Sequence, residues 1–131
     1  MVDLSRLERQ RLVAVTAALF TDESDVSEVF EVWLHLESAT VEVRVAADWT
    51  LRITPDEPGE SYVMPEFGSR VDVVRAPDEV PFTRHVGERL VRVIERFDVE
   101  AFGQCMEAEF VFGTGNVVAW SFGGDLHLAD R

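Results

Sequence analysis

Two stretches of strict alternation constrain this chain more than any other feature: "FEVWLHLESATVEV" at residues 30–43 and "MEAEFVFGTGNVVA" at 106–119. In the first, Phe30, Val32, Leu34 and Leu36 recur at every second position; Met106, Ala108, Phe110 and Phe112 do the same in the second. Successive side chains of an extended chain point to opposite faces, so a period of two calls for β-strands with one face buried. Val41 and Val43 match Val117 and Ala119 in the same way. The parallel extends outward, from "QRLVAV" (10–15) and "ERLVRV" (88–93) to "DWTL" (48–51) and "DLHL" (125–128). The pattern predicts an internal repeat, residues 10–53 and 88–128, of paired strands with the same face inward.

Between the halves lies a joint, residues 54–82, that holds all five prolines, Pro55, Pro58, Pro65, Pro77 and Pro81. Proline cannot donate to a strand ladder, so the β-branched run "SRVDVVR" (69–75) is expected as an edge or crossing strand. Glycine pairs mark the reversals. "FGTGNV" offers Gly113, Gly115 and Asn116 for a tight turn at positive φ, and "SFGGDL" offers Gly123 and Gly124. The opening segments are less decided. Leu90, Val91, Ile94 and Phe97 would share a helical face, while β-branching at Val91, Val93 and Ile94 argues for a strand. The strand is preferred for Leu12–Ala17 and Leu90–Ile94, with a helical turn near Leu4–Gln10. At 131 residues and 47% hydrophobic, the chain suits one domain (1–131) with a core of its own. The expected fold is mainly β, with one or two short helices at most, as an antiparallel sandwich or partly open barrel around Leu34, Leu36, Val41, Val43, Phe110 and Phe112.

Charge narrows the partners. Twelve arginines and no lysine stand against 25 acidic residues, a net charge of −13. Such a surface repels phosphate backbones, so nucleic acid is not an expected partner and a basic protein is. Between Arg11 and Arg44 there is no Arg or Lys, yet Asp22, Glu23, Asp25, Glu28, Glu31, Glu37 and Glu42 all lie there. A docking surface made of Asp22, Glu23, Asp25, Glu28 and Glu31 is the functional expectation, with Trp33 and His35 on the outward strand face as anchors. On the second copy Val111, Val118, Trp120 and Phe122 make the outward face apolar as well. A strand apolar on both faces needs cover, from the joint, from a short helix or from a second copy in a two-fold homodimer. The lack of lysine and near-lack of asparagine fit a GC-rich genome. The apolar run Leu12–Phe20 is too short for a membrane span and its flanks are wrong for a signal peptide, so a cytoplasmic protein with no membrane partner is expected.

Catalytic chemistry finds little support. His35, His85 and His127 lack the spacings of a metal site; Asp125 and His127 share a strand face at the chain end, which reads as solvated. Glu107 and Glu109 share an outward face, yet nothing in their surroundings predicts the burial that splits a carboxylate pair. The single Cys105 reads as a buried thiol, without a neighbouring histidine to activate it. Neither "GTG" nor "GG" makes a phosphate loop. No cofactor and no metal are expected. If a small-ligand binder or enzyme is nonetheless the answer, its pocket should lie between the halves, near Trp49, Arg52 or His127.

The pattern "HVGERLVRV…AEFVFGTGNVVAW…GGDLHL", over residues 85–128, resembles small bacterial β-rich domains of unknown function, some of them immunity proteins encoded beside polymorphic toxins. The resemblance implies a toxin-neutralising or regulatory partner and carries over no catalytic residue. Arg9 stands where the second half has Gly87, a departure from the pattern.

Overall fold

The computed structural model describes residues 3–98 and 104–131. The protein is mainly β, with two antiparallel sheets and no closed barrel among the described residues. Strands β1 (Leu12–Thr21), β2 (Ser27–Leu36), β3 (Thr40–Val45) and β4 (Leu51–Pro55) form a meander. The joint then contributes β5 (Tyr62–Met64) and β6 (Ser69–Arg75), which pair on the other side of β1 to give the order β4-β3-β2-β1-β6-β5. A second meander, β7 (Leu90–Asp98), β8 (Gln104–Phe112), β9 (Gly115–Phe122) and β10 (Asp125–Asp130), builds the other sheet in the order β10-β9-β8-β7.

Both sheets turn their alternating apolar faces to one core. Leu12, Val15, Val32, Leu34, Val41 and Val43 come from the first sheet, and Leu90, Ala108, Phe110, Phe112, Val117 and Ala119 from the second. Phe82, from a 3-10 turn (Pro81–His85) that leads into β7, is fully buried and sets its ring edge-on to Phe110 at 5.0 Å. Aromatic pairs favour this arrangement because the positive edge of one ring meets the negative face of the other.

The two meanders agree in detail. Leu12 lies across from Leu36 and Leu90 from Phe112; Val15 faces Leu34 and Val93 faces Phe110. The ladder slips after Leu12 and after Ala18 in β1, and after Leu90 and after Arg96 in β7. A 3-10 turn precedes each first strand, Leu4–Arg6 and Pro81–His85. Arg9 and Gly87 both adopt left-handed backbone, at φ 72° and 95°, so the arginine departs from the pattern in side chain and not in conformation. The two segments then cross: Arg11 pairs with Arg89 in an antiparallel bridge that joins the sheets.

Several local expectations need correction. The last strands align differently: Leu51 opposes Val45 as Leu126 opposes Ser121, and Ile53 opposes Val43 as Leu128 opposes Ala119. Leu51 therefore takes the place of Leu126, not that of Leu128, because the two reversals differ in length. Gly123 and Gly124, both at positive φ, close a two-residue turn, where the first meander spends the residues between Val45 and Leu51. The β8–β9 turn uses no positive φ at Gly113 or Asn116; only Gly115 has it, at 156°. The joint strand is not an outer edge either, since β5 lies beyond β6.

Holding a non-glycine residue in the left-handed region costs about 1 kcal/mol or more. Arg9→Gly should therefore raise unfolding free energy by roughly 0.5–1 kcal/mol, while Gly87→Ala should lower it by about 1 kcal/mol. Urea unfolding of both variants checks the opposite signs.

Candidate functional site

One end of the molecule concentrates exposed acid. The β1–β2 hairpin tip is built by Asp22, whose carboxylate accepts hydrogen bonds from the Ser24 hydroxyl (2.6 Å), the Ser24 amide (2.8 Å) and the Val26 amide (3.3 Å). Those bonds, the Ser24 hydroxyl foremost, hold its pKa below the ordinary carboxylate value. Asp25 follows at φ 64°, a conformation that short polar side chains tolerate. Asp22 is thus a structural residue, and Glu23, Asp25 and Glu28 are the exposed acids of the tip. The segment is less one-signed than its sequence, because β6 brings Arg70 to within 4.0 Å of Asp25 and 3.0 Å of Asp72.

The remaining acidic-face candidates lie elsewhere and are not free to dock. Trp33 points outward from the sheet as expected but is only 4% exposed. Its indole is enclosed by Ala18 and Val71, with Phe20, Phe30, Met64 and Val73 packed around them, a small second core created when the joint returned beside β1. The Trp33 Nε1 is buried, with no hydrogen-bond partner among the described residues. His35 bridges two threonines, 2.8 Å from Thr16 and 3.2 Å from Thr40. Glu31 is half-buried beside Glu42, which Arg44 engages at 3.0 Å. Burial first, then the neighbouring Glu42, pushes the Glu31 pKa up to about 7.

Next to the tip a cavity of about 660 Å³ opens between the sheets. Its walls are the end of β1 and start of β2 (Leu19, Ser27, Glu28, Val29, Phe30), the approach to Phe82 (Pro77, Glu79, Val80, Pro81) and β10 (Asp125, Leu126, His127, Leu128). Asp125 and His127 border the cavity but stand opposite Phe122 and Trp120 on the outward face of the second sheet, as Glu28 stands opposite Phe20 on that of the first. The His127 ring is stacked on Trp120, centroids 5.3 Å apart. Of the three residues expected at a pocket between the halves, only His127 lines it. Arg52 is paired with Asp48 at 3.2 Å, and Trp49 sits on the β3–β4 loop, where its carbonyl accepts the Ser121 hydroxyl.

The outward face of the second sheet is not the apolar patch its sequence suggests. Arg96 bonds Glu107 at 2.5 Å and Glu109 at 2.7 Å, and Arg131 reaches Glu109 at 3.1 Å. Asn116 donates to the same Glu109. Glu109 is buried, but these partners, Arg96 foremost, hold its pKa down to about 2, so the Glu107/Glu109 pair is an ion network and no acid–base couple. Within it Val118 is buried between Glu109 and Ala129 on the flanking strands. Val111 and Trp120 are half-buried, which leaves Phe122 alone clear of the surface. The cover is this network rather than the joint. Burial pushes the Cys105 thiol up to about 11, so it is no nucleophile at neutral pH.

One cluster escaped the sequence reading. His85 Nδ1 lies 3.1 Å from Glu88 Oε2 and 3.4 Å from the Thr114 hydroxyl. Glu88 also accepts the Thr114 amide at 3.1 Å, as Gln10 accepts the Ser38 amide at 2.9 Å in the first meander. The shared device braces the two hairpin turns, and both partners meet the same imidazole nitrogen, so no proton relay results. Among the described residues no group of three or more His, Cys, Asp or Glu could hold a metal ion, and no helix is long and apolar enough to cross a membrane. No protein-family model, curated protein or solved structure matches the chain.

A carboxyl whose folded pKa is raised stabilises the fold below its unfolded value near 4.5 and loses that contribution as pH rises through about 7. Glu31→Gln should therefore raise the melting temperature by about 2–4 °C at pH 8 and change it little at pH 5. Melts of both proteins at the two pH values check this; Glu109 works in the opposite direction, stabilising above 4.5 and failing on acidification toward 2.

Proposed function

We propose that this protein is a cytoplasmic binding module that docks a basic protein on the acidic end formed by the β1–β2 hairpin tip, and that its two meanders are copies of one duplicated unit. The observation that carries the reading is the grouping of exposed Glu23, Asp25 and Glu28 beside a cavity that Glu79 and Asp125 also line and no arginine does. Exposed like charges on one rigid end steer an oppositely charged partner and speed its association. A binding role also agrees with the chemistry of the remaining candidates: the thiol is protonated, the buried carboxylates are arginine-paired or structural, and the histidine cluster is a turn brace. Neutralising a basic toxin, the role implied by the resemblance to immunity-like domains, is the form of docking this surface suits. Self-association through Val111, Val118, Trp120 and Phe122 is not part of the reading, because Val118 is buried and only Phe122 stands clear.

The test separates this end from overall acidity. A fluorescent octa-arginine peptide, followed by anisotropy, should bind about tenfold more weakly to the variant Glu23→Gln, Asp25→Asn, Glu28→Gln. The control variant Asp3→Asn, Glu8→Gln, Glu57→Gln removes the same charge toward the other end of the β1–β2 ladder and should lose less than about twofold, because exposed charges are screened beyond about 10 Å. Equal losses in the two variants would reduce the interaction to net charge and defeat the proposal.

A further inference from the structure

The cavity between the sheets is walled by side chains that the strand register turns inward. Leu19 and Val29 are paired across β1 and β2, and Leu126 and Leu128 stand on the core side of β10, opposite Ser121 and Ala119. Val80 and Leu126 are buried members of the main core, while Leu19, Val29 and Leu128 pack against it and remain partly open. Pro77 and Pro81, on the approach to Phe82, complete the aliphatic wall. Ser27 adds a hydroxyl on the same face, and the Thr21 hydroxyl engages it at 2.7 Å. The charged and aromatic neighbours do not contribute to this wall. Glu28 stands opposite Phe20, Asp125 opposite Phe122 and His127 opposite Trp120, all on outer faces, and Phe30 belongs to the second core around Trp33. Glu79 is exposed at the mouth.

The composition of the wall selects the occupant. A volume of about 660 Å³ falls within the roughly 300–1,000 Å³ of small-molecule sites. Aliphatic surface left open to water is a standing cost that a hydrocarbon guest removes in proportion to the area it covers. A charged group drawn inside would lose its hydration and meet no ion-pair partner, because the inward side chains are aliphatic and no arginine lines the cavity. Anions are disfavoured further by the field of a chain with net charge −13. We propose that this cavity binds an uncharged aliphatic molecule. Its hydrocarbon chain packs between Leu19 and Val29 of the first sheet and Leu126 and Leu128 of the second, and a polar end, where the molecule has one, stays in water at the mouth. The site does not depend on protein docking at the hairpin tip, whose acids take no part in the wall.

N-phenyl-1-naphthylamine, an uncharged dye that fluoresces in apolar surroundings, tests the inference on the full chain with 1-alkanols as competitors. The dye should fill one saturable site and 1-octanol should displace it. From 1-hexanol to 1-nonanol each added methylene should tighten displacement by about fourfold, as expected for a CH₂ moved from water into hydrocarbon. Octanoate at pH 8 should compete at least about tenfold more weakly than 1-octanol. Leu128→Asn, close to leucine in shape, should weaken 1-octanol by about fivefold or more, and Leu128→Trp, which projects an indole into the space, should abolish displacement. Thermal melts accompany both variants; Leu128 is already partly open, so the asparagine variant decides the matter if Leu128→Trp fails to fold. Glu28→Gln with Asp125→Asn removes only outward acids and should change 1-octanol affinity by less than about twofold. Glu23→Gln with Asp25→Asn should leave it unchanged even where it weakens the octa-arginine peptide, which keeps the two sites distinguishable. Absence of saturable dye binding, affinity that does not grow with chain length, octanoate competing as well as 1-octanol, or indifference to Leu128→Asn would each overturn the assignment.

Discussion

Everything else in the structure hangs on the antiparallel crossing of residues 9–12 with residues 87–90. The Leu12 amide donates to the Glu88 carbonyl and the Leu90 amide to the Gln10 carbonyl, both at 2.8 Å; the Arg9 amide meets the Leu90 carbonyl at 2.6 Å and the Gly87 amide the Leu12 carbonyl at 2.7 Å. Each central arginine repeats the exchange with its side chain, Arg11 donating to the Gly87 carbonyl and Arg89 to the Arg9 carbonyl. Two cations face one another here, and the carbonyls together with Glu37, which Arg89 reaches at 3.3 Å, supply the negative charge that makes the bridge tolerable. Buried backbone groups must be paired, so this crossing also fixes the entry of both first strands into the core, where Leu12 and Leu90 are fully buried.

A join at that end leaves the opposite end open. β1 runs from Leu12 at the crossing to Leu19 in the cavity wall, and there the first sheet meets β10 rather than a continuation of itself. The approach to Phe82 closes one side and the hairpin tip overhangs the other. The two meanders differ on their outward faces. Trp33 and Glu42 in the first stand where the second has Glu109 and Val118, so the large apolar group and the acid lie on opposite strands of the pair. Each buried carboxylate has its own arginine, Arg44 or Arg96, because a buried charge without a partner is among the costliest features a fold can carry.

Much of this was legible in the residues. The alternation at 30–43 and 106–119 located β2, β3, β8 and β9 and their inward faces from Val32 and Ala108 onward, because side-chain direction in a strand is a local property; at a β-bulge before each of these Val29 and Cys105 turn to the core in place of the expected Phe30 and Met106. The glycine pair at 123–124 located a two-residue turn for the same reason. What escaped were features set by partners far away in the chain. Trp33 reads as an exposed anchor until β6, from the joint, walls it in. Glu109 reads as one of a solvated pair until Arg131 reaches it from the last position.

The amino-acid sequence by itself determined that the chain makes antiparallel strands, which side chains enter the core, and that the surface is acidic, since periodicity, turn chemistry and charge depend only on near neighbours and on sums. The tertiary structure alone decided the register of the last strands, the burial of Trp33, and the opening of an apolar-walled cavity between the sheets. Those depend on loop lengths and on contacts between residues such as Leu19 and Leu128, whose separation along the chain carries no local signal of their meeting in space.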